Sequence, residues 1–154
     1  MLCYIGDMNI SIPNSLEDTA VHADKWLQEI IATYSHSDAA LVVGLSGHLG
    51  AGKTAYVKAV ARILGITEEI TSPTFVIMKM YNISYSSWKK LVHIDAYRLE
   101  KREELVALQW ERVVADPQNL ILMEWPENVG LTEFRPLTDL RFEIVEGVHH
   151  IEVK

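Results

Sequence analysis

The residues Gly47-His48-Leu49-Gly50-Ala51-Gly52-Lys53-Thr54 follow the pattern G-x-x-x-x-G-K-[ST] (Walker A), whose chemistry is the holding of phosphates. Glycines let successive backbone N–H groups face one anion, and a helix beginning here adds roughly half a positive charge behind them. In this pattern His48, Leu49, Gly50, Ala51 and Gly52 form the cradle for a nucleoside triphosphate. Lys53 reaches the β and γ phosphates, and Thr54 offers a hydroxyl oxygen to Mg²⁺. A glycine-rich turn that only joins a strand to a helix is the bland alternative, and the flanking sequence argues against it.

Phosphoryl chemistry also needs a carboxylate for the ion's water shell and a group to orient the attacking water. Asp95 and Glu124 both end apolar runs, Leu91-Val92-His93-Ile94 and Leu120-Ile121-Leu122-Met123. Ligands of open α/β sheets gather outside the carboxyl ends of strands, so parallel strands would bring both acids to Lys53 and Thr54. Each could equally be a surface acid at a strand end, which is less economical for two at once. Glu124 follows the more hydrophobic run and precedes Trp125-Pro126-Glu127, an exit that would shape a rigid, partly apolar pocket wall. Glu124 and Thr54 are therefore assigned to the metal, and Asp95 to water orientation or a water-mediated metal contact. The exchanged assignment stays open on residue pattern alone.

The elements that must position these groups are legible in the spacing. Ala39 to Leu45 is short, apolar and partly β-branched, the pattern of a strand covered on both faces of a parallel sheet. Thr54 to Leu64 reads as a helix with Val57, Val60, Ala61 and Leu64 on its buried stripe and Gly65 as its stop. Upstream, residues 1–12 alternate weakly as an edge strand, and Pro13-Asn14-Ser15 turns into a helix over 16–34, with Ser15 and Asp18 as a capping box. Ser35-His36-Ser37-Asp38 is a polar connector.

Downstream, Thr67 to Thr74 is a polar turn region, Phe75 to Tyr81 a strand, and Leu91 to Asp95 its partner across a loose hairpin. Arg98 to Val114 reads as one helix, with its charges forming a solvated face and Trp110 a candidate docking residue if exposed. Asp116-Pro117-Gln118-Asn119 is a turn. Leu140, Phe142 and Ile144, then Ile151 and Val153, read as a C-terminal hairpin. The class is a phosphate-loop α/β fold, three layers (α/β/α) around a mixed sheet, with residues 1–154 as a single domain.

The formal net charge of −7 argues against a broad basic face gripping nucleic acid. Trp88, Tyr81 and Tyr85 could form a stacking platform for RNA, but aromatics in strands belong more often to core or rim. Cys3 stands alone, Asp7 interrupts any secretory-type apolar segment, and apolar runs fall far short of the roughly twenty residues of a bilayer span. These features lead to the expectation of a soluble, cytoplasmic protein.

Gly-His-Leu-Gly-Ala-Gly-Lys-Thr (47–54), Ser-Pro-Thr-Phe (72–75), His-Ile-Asp-Ala-Tyr-Arg-Leu (93–99) and Glu-Trp-Pro-Glu (124–127) occur in this order. Together they resemble the TsaE (YjeE) family, small ATPases of tRNA threonylcarbamoyladenosine synthesis, over roughly residues 15 to 154. The resemblance implies Mg²⁺-ATP binding and slow hydrolysis by a protein that docks on the threonylcarbamoyl transferase TsaD and its paralogue TsaB. It implies contact with tRNA only through that complex, and no modification chemistry of its own. It further implies a metal held by Thr54 and Glu124, an activity-linked Asp95, and a switch-like segment, Ser72 to Thr74, near the γ-phosphate. Glu127 joins the nucleotide site, and adenine contacts fall near Ser15 to Thr19.

Two positions depart from the family pattern. His48 stands where the loop usually carries an aspartate, so a repelling charge is replaced by an imidazole that can alter turnover or product release. His149 is the nearest match to a C-terminal arginine that reaches the nucleotide. Two rival functions remain: a nucleotide-sensing module without turnover, and a small-molecule kinase, which would need a mobile Arg-bearing lid, whereas the segment after Glu124 is short and nearly free of basic residues apart from Arg135.

Overall fold

The structure is a computed structural model, and it describes residues 9–12, 15–34, 37–73, 75–130 and 137–154. Cys3, Asp7, the turn at Pro13-Asn14, Ser35-His36, Thr74 and Arg135 lie outside the described residues.

The strands are β1 (Asn9–Ile12), β2 (Leu41–Gly47), β3 (Met78–Tyr85), β4 (Trp88–Asp95), β5 (Asn119–Glu124), β6 (Leu137–Val145) and β7 (Val148–Val153). Among the described residues they form one seven-stranded sheet in the order β1-β7-β6-β2-β5-β4-β3. β2, β4, β5 and β6 run parallel, while β3 pairs antiparallel with β4 and β7 antiparallel with β6 and β1. The sheet is mixed, with antiparallel hairpins flanking a parallel centre.

β2 and β5 are buried on both faces, which accounts for their continuous apolar runs. Helices α1 (Leu16–Tyr34) and α2 (Lys53–Ile63) cover one face, and Trp26, Leu27, Ile30, Tyr56 and Val60 pack there against Val43, Leu45, Leu122 and Phe142. At the α1 start the Asp18 N–H donates to Ser15 Oγ at 3.1 Å, the expected cap. Val42, Val92, Ile94, Ile121 and Met123 point to the other face, where Leu105, Trp110 and Val113 cover them. That second layer consists of two 3-10 helices, Arg102–Leu108 and Pro126–Val129, and the short α3 (Trp110–Ala115). Among the described residues no helix is long and apolar enough to cross a membrane.

Several expectations are corrected. The helix read over Arg98 to Val114 is broken: Gln109 adopts φ 55° and ψ 39°, which ends one helical segment and starts the next at a new angle. Trp110 turns inward, 2% exposed, so it cannot serve as a docking residue. The strand read from Phe75 begins at Met78, because Pro73 accepts the N–H groups of Val76 and Ile77 in a turn and Ile77 takes φ 67°. Phe75 is left 85% exposed, its ring 4.8 Å from the Arg98 guanidinium. The loose hairpin is tight: Tyr85 pairs with Trp88 across Ser86-Ser87, with Ser86 at φ 53° and an irregularity between Asn82 and Tyr85. Trp88 and Tyr81 are buried in the α1/α2 core and offer no stacking platform.

Candidate phosphate-binding site

The loop between β2 and α2 is shaped by close approach at its root. A Cβ on Gly47, at φ 137°, would stand 2.2 Å from the Phe142 carbonyl oxygen of neighbouring β6, so only glycine fits. At the far end Gly52 caps α2 at φ 106° and, being glycine, brings no side chain to cap the first helical N–H groups. An anion is the natural partner for such a terminus. His48, Leu49 and Gly50 are exposed along the loop, whereas Ala51 is buried.

Lys53 opens α2 and is 4% exposed. Its Nζ donates to the carbonyls of Gly47 (2.6 Å) and His48 (2.8 Å) and lies 4.0 Å from the centroid of the Trp125 ring. Burial lowers the Lys53 pKa, and Glu124, Glu127 and Asp95 oppose that shift. Trp125 holds this place in a left-handed backbone conformation, φ 60°, its N–H donating to Leu45 and its ring 5.1 Å from Tyr97. The wall expected after Glu124 is thus an aromatic lid over the lysine head group. Glu127 is exposed beside it.

Thr54 and Glu124 meet. Thr54 Oγ1 lies 3.0 Å from Glu124 Oε1 and 2.9 Å from Oε2, and Glu124 is buried. Asp95 stands level with Glu124 on the adjacent parallel strand, so both carboxylates issue from the same face of the sheet. Asp95 Oδ2 accepts from Ser72 Oγ at 3.0 Å, and Oδ1 accepts from the Tyr97 N–H at 3.0 Å. Ser72 therefore reaches the acidic pair, while its expected companion Thr74 falls outside the described residues. His149 packs against the loop, its Nδ1 3.0 Å from the Ala51 carbonyl.

His93 carries no role that its local sequence reveals. It sits two positions before Asp95 and hence on the same face of β4, and its Nε2 lies 2.8 Å from Glu124 Oε1. The period of two along the strand was the available signal, but the partner is on a different strand. Among the described residues no group of three or more His, Cys, Asp or Glu could hold a metal by itself. A hydroxyl and one carboxylate, both hard oxygen donors in contact, suit an ion such as Mg²⁺ that takes its remaining ligands from phosphate and water.

Residues 15–151 match the family model described as threonylcarbamoyl adenosine biosynthesis protein TsaE. The chain belongs to the TsaE family. A protein of Treponema pallidum named tRNA threonylcarbamoyladenosine biosynthesis protein TsaE is 38% identical over 114 residues, 73% of this chain and 80% of its own. The TsaE protein of Nostoc is 35% identical over 69% of this chain and 63% of its own. The TsaE protein of Bacillus subtilis is 42% identical over a shorter stretch, 54% of this chain and 49% of its own. Among solved structures, that of Bacillus subtilis YdiB superposes with a TM-score of 0.67 at 23% identity, covering 99% of this chain and 87% of that one. The fold expected from the motifs, α/β with a mixed sheet, is the one this TsaE-family chain shares with it.

Proposed function

We propose that this chain binds ATP with Mg²⁺ at the Gly47–Thr54 loop and hydrolyses it slowly, in the service of tRNA threonylcarbamoyladenosine synthesis. The observation that carries this reading is the Thr54–Glu124 contact at 2.9–3.0 Å, beside a buried Lys53 and level with Asp95. The loop N–H groups and Lys53 hold the phosphates, with His48, Leu49, Gly50, Ala51 and Gly52 as the cradle. Thr54 and Glu124 hold the ion, which when bound neutralises charge on the phosphoryl oxygens. Asp95 orients the water that attacks the γ-phosphorus, and ADP leaves as the phosphate departs. In this reading Ser72 serves the γ side, and Glu127 and His149 border the nucleotide.

The names borne by the relatives support the pathway. In this reading the protein acts in the cytoplasm on the transferase TsaD and its paralogue TsaB, meets tRNA only through them, and turns over faster in their presence. A second reading, nucleotide sensing without turnover, draws on His48 in the loop and on His149, whose imidazole is already engaged by the Ala51 carbonyl.

The test is phosphate release from Mg²⁺-ATP by the protein alone, with purified TsaD and TsaB, and with a panel of metabolite acceptors. Release that rises with the partners and falls by about 10²-fold or more in Glu124→Ala and Asp95→Ala is expected. Phosphorylation of an acceptor would replace the ATPase reading by a kinase. Nucleotide binding with no release under any condition would favour the sensing module.

A further inference from the structure

His93 is fully buried, 0% exposed, at the carboxyl end of β4, with Nε2 at 2.8 Å from Glu124 Oε1 and Nδ1 without a hydrogen-bond partner among the described residues. A carboxylate only accepts, so the proton between them belongs to Nε2. With that proton on Nε2, Nδ1 faces no donor among the described residues. The Nδ1–H form would set two acceptors face to face. An apolar residue would fill the same space in the strand without any of these constraints. The core therefore does not account for a histidine here; its partner does.

We propose that His93 is a positioning residue for Glu124, fixing the orientation of that carboxylate toward Thr54 and so setting the affinity of the nucleotide site for Mg²⁺. The Thr54 hydroxyl has one proton and stands at nearly equal distance from the two carboxylate oxygens, so by itself it does not choose between them. His93 occupies Oε1 and directs the Thr54 proton to Oε2. The line His93–Glu124–Thr54 is then fixed at three points, one each on β4, β5 and the first turn of α2. The Thr54 lone pairs remain free for an ion, and the carboxylate cannot rotate away from it. Partners that orient a ligating carboxylate in this manner govern metal affinity as strongly as they do because the ligand would otherwise have to be ordered at each binding event.

This inference rests on the nucleotide-binding reading, and binding measurements separate the two. ADP binding to the whole chain is measured by calorimetry across a Mg²⁺ series and in EDTA, for wild type, His93→Phe and His93→Gln. In His93→Phe the half-saturating Mg²⁺ concentration should rise about 10- to 100-fold while metal-free ADP affinity stays unchanged. His93→Gln keeps an N–H at the end of its side chain and should recover most of the loss. A wild-type Mg²⁺ requirement in His93→Phe, or a parallel loss of metal-free ADP affinity, would overturn the positioning role alone. Absence of any Mg²⁺ effect on ADP binding in wild type would also overturn the positioning role, and absence of ADP binding altogether would overturn the nucleotide reading together with it. Should His93→Phe fail to fold, imidazole ¹⁵N spectra of the wild type decide. An Nε2–H tautomer whose signal moves with Mg²⁺-ADP and not with ADP in EDTA is expected, and an Nδ1–H tautomer refutes the proposal.

Discussion

Lys53 spends its hydrogen-bonding capacity on the loop that precedes it, at Gly47 and His48, and its charge is steadied by three acids and one indole ring. Removing the ammonium should abolish most of the stabilisation that nucleotide confers. At a hundredfold excess of Mg²⁺-ATP over its dissociation constant, wild type should gain about 2.7 kcal/mol in chemical denaturation, and Lys53→Ala should lose nearly all of that gain. His22 offers a second test. It is buried in α1 with Nδ1 3.0 Å from the Tyr56 hydroxyl, and burial, then the nearby Lys25 charge, lowers its pKa below the ordinary 6.5. Below about pH 6.5 the unfolded chain takes up a proton that folded His22 refuses, so stability falls with pH through that window. Urea midpoints of His22→Phe compared with wild type across about pH 5 to 7.5 should show a shallower acid-side decline. Lys53, Thr54, Asp95 and Glu124 were all legible as site candidates, because a loop motif and two acids at the ends of apolar runs need only local sequence. His93 was not, because its meaning depends on a pairing between β4 and β5 that places it beside a residue far along the chain.

At the scale of elements, α1, α2, β2 and β5 were legible because each carries an uninterrupted period or run and meets the core over its length. The segment after Arg98 was not, since Gln109 breaks it without the glycine or proline that normally announces a break. The start of β3 was misread for a related reason: Phe75 and Val76 have strand-like side chains, but the turn from Pro73 commits their N–H groups elsewhere. Two substitutions probe the backbone at this scale, one at the Gln109 break and one at the root of the phosphate loop. Gln109→Gly should stabilise by up to about 1 kcal/mol in urea unfolding, because relief of the left-handed strain slightly exceeds the added freedom of the unfolded chain. Gly47→Ala should destabilise by at least about 1–3 kcal/mol and weaken nucleotide binding in the same protein. Its new methyl group would displace the Phe142 carbonyl and the β2–β6 edge from which the loop springs.

For the whole molecule, the sheet is a shared wall between two apolar layers, and its central strands contribute to both. Truncating either layer should therefore unfold everything together. Trp26→Ala on the α1/α2 face and Trp110→Ala on the other should each cost about 3–5 kcal/mol, with one cooperative transition by calorimetry in both variants. The four tryptophans are also distributed in a useful way. Trp26, Trp88 and Trp110 are buried in the two layers, while Trp125 alone is partly open to solvent, and it lies over the Lys53 ammonium. The protein thus carries a built-in fluorophore at its candidate phosphate site: a water-soluble quencher should reach Trp125 and leave the other three bright, so that emission from the unlabelled chain reads the occupancy of the loop.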